Sequence, residues 1–200
     1  MAAALLAACA EPVRDPPEKV ARAHYRSEGP PALTLYTNVR IATGKGAHTS
    51  MVIDGPERVV FNPAGTWRHP DAPRIDDVHY GFTRGMEAWF IDYHARETYY
   101  VRQQYLPVPM ATAAKALQLA EETGPVLGLF CTKRTADILT QLPGFEDFPD
   151  TFFPDAASEA FGRYPGVITK TYYDDSPDDR SDIGGLGGYQ YPGQGLRVEG

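Results

Sequence analysis

Cysteine is scarce in this chain of 200 residues: there are two, Cys9 and Cys131. A disulfide between them would join an N-terminal segment to the middle of the chain, and no spacing pattern marks them as a pair, so they are read as serving different purposes. Clustered basic residues are also missing. The 19 lysines and arginines stand against 26 acids, a net charge of −7. From Thr171 to Gly200 six acids face two arginines, and the remaining negative charge is spread thinly. Phosphate binding needs grouped Lys and Arg, which argues against nucleic acid as a partner. His69, His79 and His94 have no ligand-like spacing with one another or with Cys131, so no zinc site, and no cofactor, is expected. No internal repeat is visible.

A hydrophobic fraction of 42% with 12% aromatics is that of a globular protein. Residues 10–32 carry Pro12, Pro16, Pro17, Pro30 and Pro31 among balanced charges and read as a disordered spacer. Residues 167–200 are acidic and rich in glycine, with Gly184, Gly185, Gly187, Gly188, Gly193 and Gly195, and read as a largely disordered tail with a short contact near Tyr189. One folded domain, residues 33–166, is expected between them.

Within it, residues 33–41 (LTLYTNVRI) and 48–53 (HTSMVI) have strand character, and Asp54-Gly55 is a two-residue turn signal leading to a return strand at 57–62 (ERVVFN). Met86, Trp89, Phe90 and Tyr93 share one stripe of a helix over 84–95, with Thr83 as its N-cap. Residues 97–106 (ETYYVRQQYL) alternate like a strand. A second helix runs from Pro109 to the stop at Gly124-Pro125. Residues 126–130 (VLGLF) form a short apolar run read as buried, after which a helix over 132–142 leaves Cys131 at its N-terminus. A further short helix spans 155–161. The expected class is α+β, an antiparallel sheet packed against helices.

Met1 to Ala8 is uncharged and apolar and ends in Leu6-Ala7-Ala8, directly before Cys9. This resembles the lipobox of bacterial lipoproteins, in which the cysteine is lipidated and the preceding peptide removed. The positive n-region and longer apolar core of a full signal are missing, so residues 1–9 read as a truncated signal. The resemblance implies a membrane tether at Cys9. Ala10, standing where an aspartate would retain such a protein in the inner membrane, implies an outer-membrane location facing the periplasm.

Cysteine is a nucleophile as thiolate, and a helix N-terminus or a nearby imidazolium lowers the pKa of its thiol. Cys131 has the first by position. His48, opening a strand, is the candidate for the second, and Asn62, closing the partner strand, is the candidate to orient its ring. This order (AHTSMVI, then RVVFNPAG, then FCTKRTADIL) resembles the circularly permuted NlpC/P60 group, papain-like peptidases, amidases and acyltransferases related to the lecithin–retinol acyltransferase type. The resemblance covers roughly residues 33–162. It implies Cys131 as nucleophile, His48 as base and Asn62 as the orienting residue. The family more often has an acid, glutamine or histidine in that third place, and the long stretch from Asn62 to Val126 departs from its compact pattern. The function so implied is a thiol hydrolase of the cell envelope acting on peptidoglycan-type peptides, or on a lipid acyl group. The same residues also fit a packed cysteine, a strand-capping histidine and an Asn-Pro turn in a non-catalytic lipoprotein that binds an envelope partner. Whether sulfur and imidazole meet separates the two. The aromatics Trp89, Phe90, Tyr99 and Tyr100 are read as core, and Asp76-Asp77 as loop polarity.

Overall fold

A computed structural model describes residues 11–183 and 196–200. Cys9 and Tyr189 lie outside the described residues. The fold is α+β. Eight strands form one antiparallel sheet: β1 (Ala32–Arg40), β2 (Lys45–Asp54), β3 (Arg58–Phe61), β4 (Arg74–Ile75), β5 (Val78–His79), β6 (Tyr99–Pro107), β7 (Ile168–Tyr173) and β8 (Arg197–Glu199). Their order across the sheet is β4-β5-β3-β2-β1-β6-β7-β8. The helices are α1 (Pro17–Arg22), α2 (Arg84–His94), α3 (Met110–Thr123), α4 (Cys131–Leu139) and α5 (Pro154–Gly162), and Ser181–Ile183 form a 3-10 turn.

Alternation along the central strands builds two cores. Leu33, Leu35, Met51, Ile53, Val59 and Phe61 face the layer of α3, α4 and α5. Their neighbours Tyr36, Val52, Val60 and Val101 face α2 and the loop aromatics Trp67 and Phe82. Every second residue of β1 and β2 therefore meets a different layer, and the strands are buried on both sides. The second core is aromatic: Trp67 is fully buried, 5.3 Å from the rings of both Trp89 and Phe90. Thr83 caps α2 as expected, its side chain accepting from Met86 N at 3.2 Å, a bond worth about 1 kcal/mol. Beneath that helix Arg58, 1% exposed, is held by Asp54 and Glu87 at 2.9 Å each and ties β3 to α2. Glu87 in turn accepts from the Tyr36 hydroxyl.

Four expectations are corrected. The stretch read as a spacer carries α1 and is bonded to the domain: Asp15 accepts from Arg74 N at 2.8 Å, and Val13 N donates to Asp76 at 3.1 Å. Its prolines set a path across the surface, with backbone groups satisfied by the neighbouring loop. The stretch read as a tail extends the sheet through β7 on β6, and the segment after it docks at the end of α2, where Arg96, fully buried just past the helix, binds Asp182 at 2.8 Å. The Asp54-Gly55 turn is a three-residue connection, because Asp54 pairs with Arg58. Pro56 has no N–H to close the two-residue form. Finally, the run before Cys131 is a loop. Only Val126 is buried in it among its aliphatic residues, whereas Leu127 is 42% and Leu129 86% exposed.

Candidate active site

β2 is longer than its partner. Its last pair with β3 is Met51 with Phe61, so residues 45 to 50 have β1 on one side and no strand on the other. Asn62 no longer pairs with β2: its backbone N–H donates to Asp77 O at 2.9 Å on the β5 side, and its carbonyl accepts from Gly65 N at 3.0 Å as the chain turns. Pro63 follows and has no N–H to continue a ladder. Had β3 gone on, Asn62 would stand opposite Ser50, which makes His48 its diagonal neighbour on the same face, within reach of a side chain. The contact forms: His48 Nε2 donates to Asn62 Oδ1 at 2.7 Å. Nδ1 is left as the nitrogen free to face another group.

That group is Cys131. It is the first residue of α4, and Phe130 before it makes no side-chain cap, so the opening N–H groups of the helix are unused by the chain itself. Thr132 pins the helix start to β2, its hydroxyl 2.9 Å from that of Thr49, and the Thr135 hydroxyl holds Cys131 O at 3.0 Å. The thiol lies near His48 and the backbone N–H of Thr49, on the stretch of β2 without a second partner, and both act on its ionisation. The expected trio of Cys131, His48 and Asn62 thus comes together.

The electrostatics follow from these contacts. Burial alone would raise the Cys131 thiol, but the hydrogen bond and charge of His48, the Thr49 N–H and the Thr132 hydroxyl outweigh it, bringing the pKa from the ordinary 9.0 down to about 7. Burial would lower the pKa of His48. The bond and charge of Cys131, the bond to Asn62 and the field of Asp77 together raise it instead. Both shifts favour a thiolate–imidazolium pair.

Two residues read otherwise in the sequence belong here. Asp77 is buried, and burial raises its carboxyl. Its Oδ2 accepts from Val126 N at 2.8 Å, anchoring the loop that leads to Cys131. Nothing local in Asp76-Asp77 tells such an anchor from loop polarity. His94, near the end of α2, stacks on His48 with ring centroids 6.2 Å apart, and its Nδ1 donates to Phe90 O at 2.7 Å. Burial and the nearby charge of His48 push its pKa down to about 3, so it is neutral. Forty-six positions separate the two histidines, too far for a motif. Gly65 presses on Asn62: a Cβ there would lie 2.2 Å from Asn62 Nδ2. Among the aromatics, Trp89 and Phe90 are core, while Tyr99 and Tyr100 are half-buried.

On the α2 side His48 and His94 open on a cavity of about 270 Å³, bounded further by Asn38, Gly65, Tyr99 and Arg180. Cys131, 7% exposed, is not part of that lining. No group of three or more His, Cys, Asp or Glu among the described residues is placed to hold a metal ion, and no helix among them is long and apolar enough to cross a membrane. Compared with known protein families, curated proteins and solved structures, the chain has no match.

Proposed function

We propose that this chain is a thiol hydrolase of the cell envelope, built on a permuted papain-like arrangement and tethered through a lipid on Cys9. The observation that carries the catalytic part is one imidazole bonded to a buried amide and close enough to a cysteine at a helix start for each to shift the other's ionisation. In that pair the Cys131 thiolate attacks the carbonyl carbon of an amide, forming a C–S bond. The backbone N–H of Cys131, unused within its helix, is available to the oxyanion. As the C–N bond breaks, the His48 imidazolium gives its proton to the departing amine. Water then attacks the thioester, His48 takes its proton, and the acid is released with the thiol restored. Asn62 holds the ring in the tautomer this cycle needs, as an orienting residue.

Peptidoglycan stem peptides are the substrate that fits a tether facing the periplasm; a lipid acyl group is the other acyl donor this chemistry serves. The deciding experiment is digestion of purified peptidoglycan by wild type and Cys131→Ala, with mass analysis of the fragments. New amide-cleavage products from the wild type alone are expected, and identical products from both remove the thiol mechanism. The low exposure of Cys131 favours a second reading, a non-catalytic lipoprotein binding an envelope partner, and that reading gains if neither protein cleaves peptidoglycan or acyl lipid. For the tether, Cys9→Ser should move the protein from membrane to soluble fractions, and an unchanged distribution refutes lipidation.

A further inference from the structure

We infer that the cavity beside His48 recognises a carboxylate, with Arg180 as the recognising residue. The inference deepens the hydrolase reading and rests on it: it assigns an acyl substrate that carries a free acid. The chain has an excess of acids, yet the cavity lining has none, only one guanidinium and two imidazoles among neutral groups. Two fully buried arginines of the neighbourhood are neutralised, and half-buried Arg68 is turned onto backbone, its Nη1 donating to Gly65 O and Trp67 O. Arg58 has Asp54 and Glu87, and Arg96 has Asp92 and Asp182. Arg180 has no carboxylate within ion-pair distance among the described residues; Asp178, two residues away, turns Oδ2 to the Thr98 hydroxyl at 2.6 Å, and its buried Oδ1 makes no hydrogen bond.

Arg180 is also held rigidly for a task that its own contacts do not complete. Nε donates to Tyr93 O at 3.0 Å, Nη1 donates to Asp178 O at 2.8 Å, and the guanidinium carbon sits 4.2 Å over the Tyr93 ring. The backbone at Arg180 is left-handed, with φ 59°, a conformation costly for an arginine. These contacts leave the second hydrogen of Nη1 and both of Nη2 without a protein acceptor among the described residues, the edge of the fork that grips a carboxylate with two parallel bonds. A neutral His94 beside it adds no competing charge.

The test uses the full chain with labelled imidazoles, followed by NMR. N-acetylglycine, a small carboxylate, should shift the His48 and His94 ring signals saturably. N-acetylglycinamide, its neutral counterpart, should bind at least about tenfold more weakly, the fold-change of one charge-assisted interaction. Arg180→Gln should erase the difference, and Arg180→Lys should keep only part of it. Equal binding of acid and amide by the wild type, or no binding of either, overturns the inference without recourse to any variant. The alkylation rate of Cys131 is measured on the same samples. A thiol titrating near 7 without selective carboxylate binding overturns the subsite alone. Selective binding beside a thiol that titrates as an ordinary one overturns the hydrolase reading and leaves the anion site standing.

Discussion

The sharpest consequence of the geometry is the pH dependence of Cys131 alkylation by iodoacetamide. With the thiol pKa at about 7, half the sulfur is thiolate at pH 7, against about one part in a hundred for a reference thiol at the ordinary 9.0. That is roughly a 50-fold gain in reactive species. A less basic thiolate is a poorer nucleophile, and a Brønsted slope of about 0.45 over two pK units removes roughly eightfold of the gain. The net advantage is about sixfold at pH 7, before any loss from limited access. Above pH 9, where both thiols are ionised, the order reverses, and the reference thiol is faster by about eightfold. The diagnostic is therefore the midpoint of the profile and the reversal, not the absolute rate, since a residue 7% exposed is slowed by access at every pH. In His48→Ala the influence of the imidazole is gone while burial, the Thr49 N–H and the Thr132 hydroxyl remain, so the midpoint should rise. A wild-type midpoint of 8.5 or above, or one that His48→Ala leaves in place, refutes the paired thiolate.

Three further outcomes are expected. Gly65→Ala puts a Cβ into the Asn62 side chain, so it should lower kcat, while the double variant Gly65→Ala/Asn62→Ala should be no worse than Asn62→Ala alone; additive losses in steady-state assays would show that Gly65 acts elsewhere. Arg58→Met removes the buried partner of Asp54 and Glu87, leaves them the more exposed Arg84, and should cost about 3 kcal/mol in urea unfolding, and a loss under about 1 kcal/mol contradicts the central role given to that cluster. Asp92 has its carboxyl raised to about 6, because burial and the charge of Asp174 outweigh Arg96. The native state then binds the proton more tightly than the unfolded chain, so this contribution is fully present below the ordinary 3.8 and is lost as pH rises through 6. Asp92→Asn should flatten stability between pH 4 and 6 and raise it at pH 7 by up to about 3 kcal/mol; an unchanged pH profile of the melting temperature is the contrary result.

What the sequence disclosed depended on how local the cause was. The strands flanking Asp54 and the helix capped by Thr83 were legible because alternation, a polar cap and a 3.6-residue stripe act within a few residues. The two-residue strands β4 and β5 leave no periodicity to read, and they exist because β3 offers an edge next to them. The ends of the chain were misread for the same reason. Proline and charge do lower the tendency to fold alone, but Asp15 and Asp182 dock through partners 59 and 86 positions away. Of the site, the three residues with chemistry in their type were visible. Asp77, His94 and Arg180 were not, since each gains its place from packing across the sheet.

The two readings of Asn62, a turn residue before Pro63 or a member of a site, turn out not to compete. α4 belongs to the layer that covers Leu33, Met51 and Phe61, whereas Val52, four residues beyond His48, faces the opposite core. Alternation puts His48 on that same side. A sulfur carried by α4 meets an imidazole from the other face only where the sheet is interrupted. The interruption is where β3 stops and the chain turns after Asn62, leaving Thr49 without a strand partner beside the sulfur and the amide beside the far nitrogen of His48. Continuing the strand in register would set Asn62 opposite Ser50 and Pro63 opposite Thr49. The strand stop and the Cys131–His48–Asn62 contact are therefore one feature, and the Pro63 that marks the turn is part of what brings the thiol to its histidine.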